Sequence, residues 1–549
     1  MTEPNDGTAT VSGGTLVVDA LTRHGVDALF TLSGAHIFPV YDGCVARDVR
    51  LFDVRHEQTA AFAAEGYAKL TRRPGVAAVT AGPGVTNCVS AVTTAAFNGS
   101  PLVLLGGRAA QAGWGRGALQ EFDHIPVLEP VTKYAATASS TEAIAGYVDA
   151  AVVAAATPHR GPAFLDLPMD LLFGHAPAVT SGTDVPAPVD ADVADVARAA
   201  ELLAGAARPL LICGSDVYWD GAWEALDRLV DTVPLPVVAN GLGRGCLPAD
   251  HPCSFSRARS VAFKGADVVV VAGTPLDFRI GFGRFGADGA TPVVHVVDAV
   301  SDDGPHPHAT VTVAGDIGRT FDALARAVVD RGAPDTTSWL DMLRADEERR
   351  RADEAAQLAD DSSPIKPSRV YGEVRKVLER DAVVICDGGD FVSYAGKYVD
   401  SYAPGLWMDP GPYGCLGTGL GYAMAARIAH PDRQVVMFMG DGGFGFSGMD
   451  FDSLVRLGLP VVAVVGNNGI WGLEKHPMRA LYGYDVVADL QPECRYDEVV
   501  AALGGHGEFV TTADGIVPAL QRAFDSGLPA LVNIATDPAD MYPRSSNLA

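Results

Sequence analysis

Apolar residues along this chain fall into two alternating patterns. Short unbroken runs such as 75–79, 268–272 and 435–439 are bounded by Gly, Pro or Asp. Between them lie stretches in which apolar side chains recur every three or four positions, as at Leu16, Val17, Ala20 and Leu21. The first pattern marks strands buried on both faces, and the second marks amphipathic helices. Their alternation predicts an α/β fold of doubly wound parallel sheets with helices on both faces.

The alternation restarts twice. The spacing predicts a first domain over 13–175, with strands at 28–32, 50–54, 75–80, 101–105 and 162–168 and a helix at 59–70. Residues 176–192 are rich in Pro, Ala, Thr and Asp and read as a linker. A second domain over 193–330 carries strands at 209–213, 236–239, 268–272 and 293–297. Gly214 and Gly273 end two of these, in positions usable for nucleotide phosphates. Residues 331–368 form a second linker, and the acidic and basic residues of its charged helix at 339–361 are expected to make a solvated face. A third domain, 369–549, has strands at 382–386, 435–439, 459–465 and 530–534. The polar start, 1–10, is expected to lack structure.

Composition narrows the partners. A length of 549 residues suits three or four domains. A net charge of −26 argues against nucleic acid and against an anionic membrane. No apolar run reaches a membrane-spanning length, and the eight cysteines form no CxxC pair. With no signal-like segment before Gly13, these features lead to the expectation of a reducing, cytoplasmic setting.

The richest chemistry lies in 435–468, VVMFMGDGGFGFSGMDFDSLVRLGLPVVAVVGNN. One apolar run ends in Gly440-Asp441-Gly442-Gly443 and the next in Gly466-Asn467-Asn468. Parallel strands joined by a helix bring both ends to one sheet edge, so Asp441 and Asn468 are expected close together. A carboxylate and an amide oxygen suit a hard divalent cation such as Mg²⁺. The glycines let backbone N–H groups approach an anion at the helix start. In the first domain, Glu57 follows a strand at the edge where α/β folds place function. A lone Glu there also suits a helix N-terminus.

GDGG followed one strand later by NN resembles the thiamin-diphosphate signature. HEQTAAFAAEGYA (56–68) and GPGVTN (82–87) resemble the first domain of the same family. The chain is identified as a member of the thiamin-diphosphate enzymes of the acetolactate synthase and decarboxylase superfamily. That resemblance implies pyrimidine-binding, central and diphosphate-binding domains. It implies a homodimer or homotetramer with the cofactor between subunits, so that Glu57 acts across the interface. Glu57 would bond N1′ of the cofactor pyrimidine, with Pro83 and Asn87 beside it. Asp441, the Asn468 side chain and the Ile470 carbonyl would hold Mg²⁺. Gly442 and Gly443 would donate to the diphosphate, and the Gly414 carbonyl would accept from the 4′-amine. Leu416 stands where relatives often carry a Met that bends the cofactor. ADP or FAD in the central domain stays open. Asp390 departs from the Asn or Gln of relatives and is assigned no role.

Local runs choose a branch. FGFSGM (444–449), HPCSFSRARSVAFKGADV (251–268), RYD (495–497) and the tail PRSSN (543–547) resemble oxalyl-CoA decarboxylases and 2-hydroxyacyl-CoA lyases. The GLEKH segment, 472–476, lacks the Trp-bearing continuation of acetolactate synthases. The leading expectation is a lyase cleaving a 2-hydroxyacyl-CoA to formyl-CoA and an aldehyde or ketone. The alternatives are acetolactate-synthase-like condensation of 2-oxo acids and oxalyl-CoA decarboxylation. A catalytically silent homologue need not keep Glu57 together with Asp441 and Asn468. Glu493 is the candidate general acid or base, with His36 and Gln120 behind it. Acyl-CoA phosphates need cations, and Arg257, Arg259, Lys264, Arg279 and Arg284 cluster in sequence. Arg259, Lys264 and Arg279 are the CoA candidates. The tail after Asp537 reads equally as a lid over the acyl site or as a disordered terminus.

Overall fold

The computed structural model describes residues 10–300 and 304–543. The chain forms two compact units. One comprises the chain up to Pro186 with Pro410–Pro431 and Gly445–Pro460; the other comprises Ala187–Asp409, Asp432–Phe444 and the chain from Val461 onward.

The first unit holds a six-stranded parallel sheet. Its order is Arg50–Asp53, Ala28–Thr31, Gly75–Val79, Leu102–Arg108, Ala163–Pro168, Tyr134–Thr137. The winding direction reverses between Ala28–Thr31 and Gly75–Val79, which opens a crevice beyond their carboxyl ends. Thr10–Ser12 pairs antiparallel with His175–Pro177, so the expected linker starts as a short ribbon. Expected unstructured, 1–10 contributes Thr10 to that ribbon, and its remainder lies outside the described residues.

The helix Glu57–Thr71 is almost wholly buried. It packs against Thr418–Ala429, where small residues permit close approach. A Cβ on Gly421 would lie 2.7 Å from Phe62 Cβ, and one on Gly66 would lie 2.9 Å from the Tyr422 ring. A charged network is sealed at this junction. Lys69 Nζ lies 3.0 Å from Glu65 Oε1 and donates to Tyr422 Oη at 2.9 Å. Glu65 also accepts from Tyr422 (2.7 Å), Asn98 (2.9 Å) and Ser100 (3.0 Å). Glu65→Ala would leave Lys69 buried without its carboxylate. A loss of about 3–5 kcal/mol is expected in denaturant unfolding; a loss below about 1 kcal/mol would show the network to be dispensable.

The second unit holds two further parallel sheets. The central one runs Val237–Ala239, Pro209–Cys213, Val268–Ala272, Val293–Val297, Val311–Ala314. The other runs Trp407–Met408, Val383–Cys386, Val435–Gly440, Val462–Asn467, Ala530–Ala535, His506–Val510. The run expected as a strand over 459–465 starts later, because Pro460 has no N–H for the ladder. In this last sheet the reversal lies between Val383–Cys386 and Val435–Gly440. The Asp441 turn therefore sits at a crevice of the same kind.

The charged helix of the connector keeps its expected solvated face, with Asp341, Arg344, Glu348, Arg349 and Asp353 exposed, but its other face is buried. Thr337–Leu358 buries Trp339, Leu340 and Leu343, and Trp339 donates to the Pro209 carbonyl at 3.0 Å. Glu347 Oε2 accepts from the N–H groups of Ser256, Arg257 and Ala258 (3.1, 2.7 and 2.8 Å), capping the helix Arg259–Gly265. The charges on one face were recruited as caps and ion pairs instead of facing water. All eight cysteines are unpaired, six of them buried. Among the described residues no helix is long and apolar enough to cross a membrane.

Candidate active site

In the first unit the catalytic candidates gather beyond the sheet's carboxyl edge. Glu57 starts its helix after His56, whose ring accepts from Gln58 N–H. The Glu57 side chain is 9% exposed, and Asn87 Nδ2 donates to its Oε2 at 2.9 Å. Asn87 follows the one-turn helix Pro83–Thr86, which begins at Gly82 in a positive-φ conformation (φ 60°). The turn before Glu57 is pinned by Asp450, which accepts from Arg55 N–H and Thr59 Oγ1, both at 2.6 Å. Burial pushes the Asp450 carboxyl up, and these donors oppose that. Asp450 closes the FGFSGMD run, so this run reaches the Glu57 turn directly. Gln58 Nε2 donates to the Leu416 carbonyl at 3.5 Å. Leu416 and the exposed Gly414 (φ 71°) therefore sit on the segment against the start of Glu57's helix.

Two further candidates share this edge. His36 is buried, and its Nδ1 lies 3.0 Å from Thr80 Oγ1. Burial lowers its proton affinity, so the ring is neutral near pH 7. Gln120 is a positive-φ residue (φ 58°) packed on Gly82, where a Cβ would lie 3.0 Å from Gln120 Cβ. Sequence reasoning missed His124. It is fully buried; Gly82 N–H donates to its Nε2 at 2.9 Å and its Nδ1 lies 3.0 Å from Asp166. The only sequence signal was a His inside a polar loop.

The second unit carries the metal candidates. Asp441 is 4% exposed; its Oδ2 accepts from Gly469 N–H at 2.7 Å and its Oδ1 from Gly442 N–H at 3.0 Å. The turn bearing Asn468 thus lies against Asp441. Asn468 Oδ1 accepts from Ile470 N–H at 3.2 Å. Asn467 is structural: its Nδ2 donates to Cys494 O and to Asn533 Oδ1, both at 3.0 Å. Burial raises Asp441 to about 6 against donated backbone N–H groups, and no cationic side chain ion-pairs it among the described residues. A buried carboxylate in that position fits a cation that would offset the cost of its charge. A Cβ on Gly442 would lie 2.4 Å from the Trp471 ring, so only glycine fits there. Gly443 has more room: its nearest neighbours, Met439 and Asp387, would lie 3.8–3.9 Å from a Cβ.

Glu493 is exposed at φ 50°, on the loop over the Asn467 turn: Pro492 Cα lies 3.2 Å from a Cβ placed on Gly469. Asp390, left without a role, accepts weakly from Tyr542 N–H at 3.3 Å. The Tyr542 ring stands edge-on to Tyr394 at 5.0 Å. The tail is therefore packed as far as Tyr542, while 544–547 of the RSSN run lie outside the described residues.

The cations expected to grip CoA divide. Arg257 is buried and paired with Glu354 (3.2 Å) and Asp400 (2.6 Å), so it is a structural charge. Arg279 is held by Asp277 at 2.6 Å. Lys264 and Arg284 are exposed on the surface. Arg259 donates to the Arg279 carbonyl at 2.9 Å and has no carboxylate partner among the described residues. Burial and the neighbouring Arg244 and Arg279 lower it to about 10. It lines a cavity of about 650 Å³ with Arg244, Arg350, Lys397 and Tyr542. Gly214 and Gly273 are spent on packing: a Cβ on Gly214 would lie 2.3 Å from the Gly273 carbonyl.

One unit thus carries a buried glutamate at a sheet-edge crevice, and the other a buried aspartate against an asparagine turn beside glycines at a second sheet edge, donor types that suit a cation-bound anionic cofactor. Comparison with known proteins sharpens this. The models of the thiamine pyrophosphate enzymes match in all three parts: the N-terminal TPP binding domain over residues 11–127, the central domain over 196–324 and the C-terminal TPP binding domain over 387–534. The chain belongs to the thiamine pyrophosphate enzymes, and that family implies thiamin diphosphate as cofactor. It is 53% identical over 547 residues, 98% of each chain, to a "Probable acetolactate synthase" of Mycobacterium bovis. It is 34% identical over 588 residues to "2-hydroxyacyl-CoA lyase 2" of Bos taurus, covering 98% of this chain and 92% of that one. The Homo sapiens protein of the same description is 32% identical over 580 residues, covering 97% and 91%.

Proposed function

We propose that this chain is a Mg²⁺-dependent carboligase of 2-oxo acids, working as acetolactate synthases do. One 2-oxo acid loses CO₂, and its remainder joins the carbonyl carbon of a second. The observation that carries this is the 53% identity across 98% of both chains to a protein described as an acetolactate synthase. This reading reverses the expectation from local runs, where the lyase branch led.

Bound thiamin diphosphate supplies a thiazolium that absorbs the electron pair left when a bond beside a carbonyl breaks. The residues of the chain would do the rest. Glu57, oriented by Asn87, would hold and release a proton at the pyrimidine N1′. Asp441, Asn468 and the Ile470 carbonyl would ligate Mg²⁺. Gly442 and Gly443 N–H groups would face the diphosphate, and the Gly414 carbonyl the 4′-amine, with Pro83 and Leu416 as apolar supports. Gln120, neutral His36 and Glu493 are the substrate-side candidates. A homo-oligomer in a reducing cytoplasm suits the family and the unpaired cysteines.

A second reading, 2-hydroxyacyl-CoA lyase, is favoured by one feature. Arg259 lines a cavity with Arg244 and Arg350 and has no carboxylate partner of its own among the described residues, so an anion such as a CoA phosphate would pair with it, although Asp353, Glu354 and Asp400 line the same cavity. The packed Tyr542 would then serve as the acyl-site cover. Against it, Arg257 and Arg279 are already paired. One assay separates the two readings. Pyruvate, a 2-hydroxyacyl-CoA and oxalyl-CoA are offered separately with thiamin diphosphate and Mg²⁺. Acetolactate from pyruvate is expected. Formyl-CoA from the 2-hydroxyacyl-CoA, with pyruvate inert, would replace the carboligase reading by the lyase.

A further inference from the structure

We infer that His124 is a positioning residue for the relay acid, through the turn at Gly82. The inference rests on the reading of Glu57 as that acid and adds a residue the sequence patterns do not point to. All of the residues involved belong to the first compact unit.

His124 has no exposed surface and sits between the rings of Phe122 and Phe164, 5.5 and 6.2 Å away, both edge-on. Gly82 N–H can only donate, so Nε2 must offer a lone pair. The ring proton is therefore on Nδ1, donated to Asp166 Oδ1. Asp166 is itself fully buried, and its second oxygen pairs with Arg108. Arg108 is held in turn by Asp123 at 3.2 Å and by the face of Trp114, 3.7 Å from its guanidinium. The tautomer is thus set by a carboxylate at one end and used at the other.

The bonded end is what reaches the chemistry. Gly82 and Gln120 both have positive φ and lie side by side, close enough that a Cβ on Gly82 would crowd Gln120. Glycine adopts such a backbone freely, but Gln120 persists there only where its surroundings enforce it. The His124 ring supplies that constraint from the loop that also bears Gln120. From Gly82 the one-turn helix Pro83–Thr86 leads to Asn87, whose amide orients Glu57. If Gly82 N–H lost its acceptor, a buried donor would go unpaired and the turn would shift to find water. Asn87 and Gln120 would move with it. Small displacements of a positioned group lower turnover far more than they lower binding.

The two ends of the ring can be tested apart. His124→Gln places an amide oxygen near the Nε2 position and keeps the bond to Gly82. His124→Asn reproduces the Nδ1 end and keeps Asp166, but cannot reach Gly82. In the cofactor-free protein, deuterium exchange at the Gly82 amide should stay slow in His124→Gln and speed up in His124→Asn. With pyruvate, His124→Asn should lose about ten- to a hundred-fold in kcat with KM changed less than about two-fold, while His124→Gln keeps most of kcat. Equal kcat in the two variants, or a weaker His124→Gln, would overturn the inference, since a space-filling His would not distinguish its two nitrogens. Slow exchange at Gly82 in His124→Asn would overturn it as well. Should Glu57 prove not to be the relay acid, Glu57→Gln would retain turnover, while the exchange readout would still report the turn.

Discussion

Glu57→Gln is expected to lose about 10²–10⁴-fold in kcat while the protein stays folded and still binds thiamin diphosphate. The size of the effect follows from what the substitution leaves in place. Glutamine fills the same volume, and its amide oxygen still accepts from Asn87 Nδ2, which now stands 2.9 Å from Glu57 Oε2. Cys88 Sγ still meets the residue 57 carbonyl, and Asp450 still pins the preceding turn. Only the exchangeable proton is gone. Steady-state kinetics beside a thermal melt checks this. A variant within about three-fold of wild-type kcat would remove Glu57 from the relay, because general acid–base groups contribute far more than that.

Sequence patterns carried the interior of the fold and little of its rim. Strands such as Gly75–Val79 and Val268–Ala272 are buried on both faces and read as unbroken apolar runs. Tyr134–Thr137, Val311–Ala314, Trp407–Met408 and His506–Val510 were not expected, and each lies at a sheet edge. An edge strand is half-buried and short, so its composition mixes with that of loops. The buried face of the linker helix went unread for a related reason. Glu347 and Arg257 carry ordinary surface charges by type, and only the fold reveals that one caps a helix and the other is sealed by two carboxylates.

The candidate site divides in the same way. Asp441 and Asn468 were legible because a strand, a turn and a second strand fix them on one edge through local connectivity alone. Glu57 was legible as a strand-end residue within a long motif. His124, Asp166 and Asp450 were not, since each acts through a partner distant in sequence: Gly82, Arg108 and Arg55. No local spacing encodes such pairs. The choice of branch was read from a few local runs, 444–449 above all, and the whole-chain identity now outweighs them. That segment has a structural duty of its own, since it leads into Asp450, which holds the Glu57 turn. A run under that constraint carries less substrate information than its length suggests.

Asp441→Asn is expected to abolish stabilisation by Mg²⁺ and thiamin diphosphate. At a hundred-fold excess over Kd, a cofactor that binds only the folded state adds about 2.7 kcal/mol, and the variant should gain almost none of it. The sign of the pH dependence makes the test specific. Burial raises Asp441 from an ordinary 3.8 to about 6 in the cofactor-free protein. Between those values the folded protein holds a proton that the unfolded chain has released, so stability falls as pH rises from about 4 through 6. Above that range the cost reaches about 3 kcal/mol at most. A divalent cation binds the charged carboxylate and removes this cost, so cofactor-induced stabilisation should be larger at about pH 7.5 than at about pH 5.5. In Asp441→Asn the charge is gone. One of the two backbone donors, Gly442 or Gly469, then faces an amide N–H, at a cost of about 1–3 kcal/mol. The two effects offset, so the cofactor-free variant should melt close to wild type near neutral pH while losing both the cofactor shift and this part of its pH slope. Thermal melts at the two pH values, with and without MgCl₂ and thiamin diphosphate, read all four states. A cofactor shift in Asp441→Asn equal to that of wild type would move the metal away from this turn.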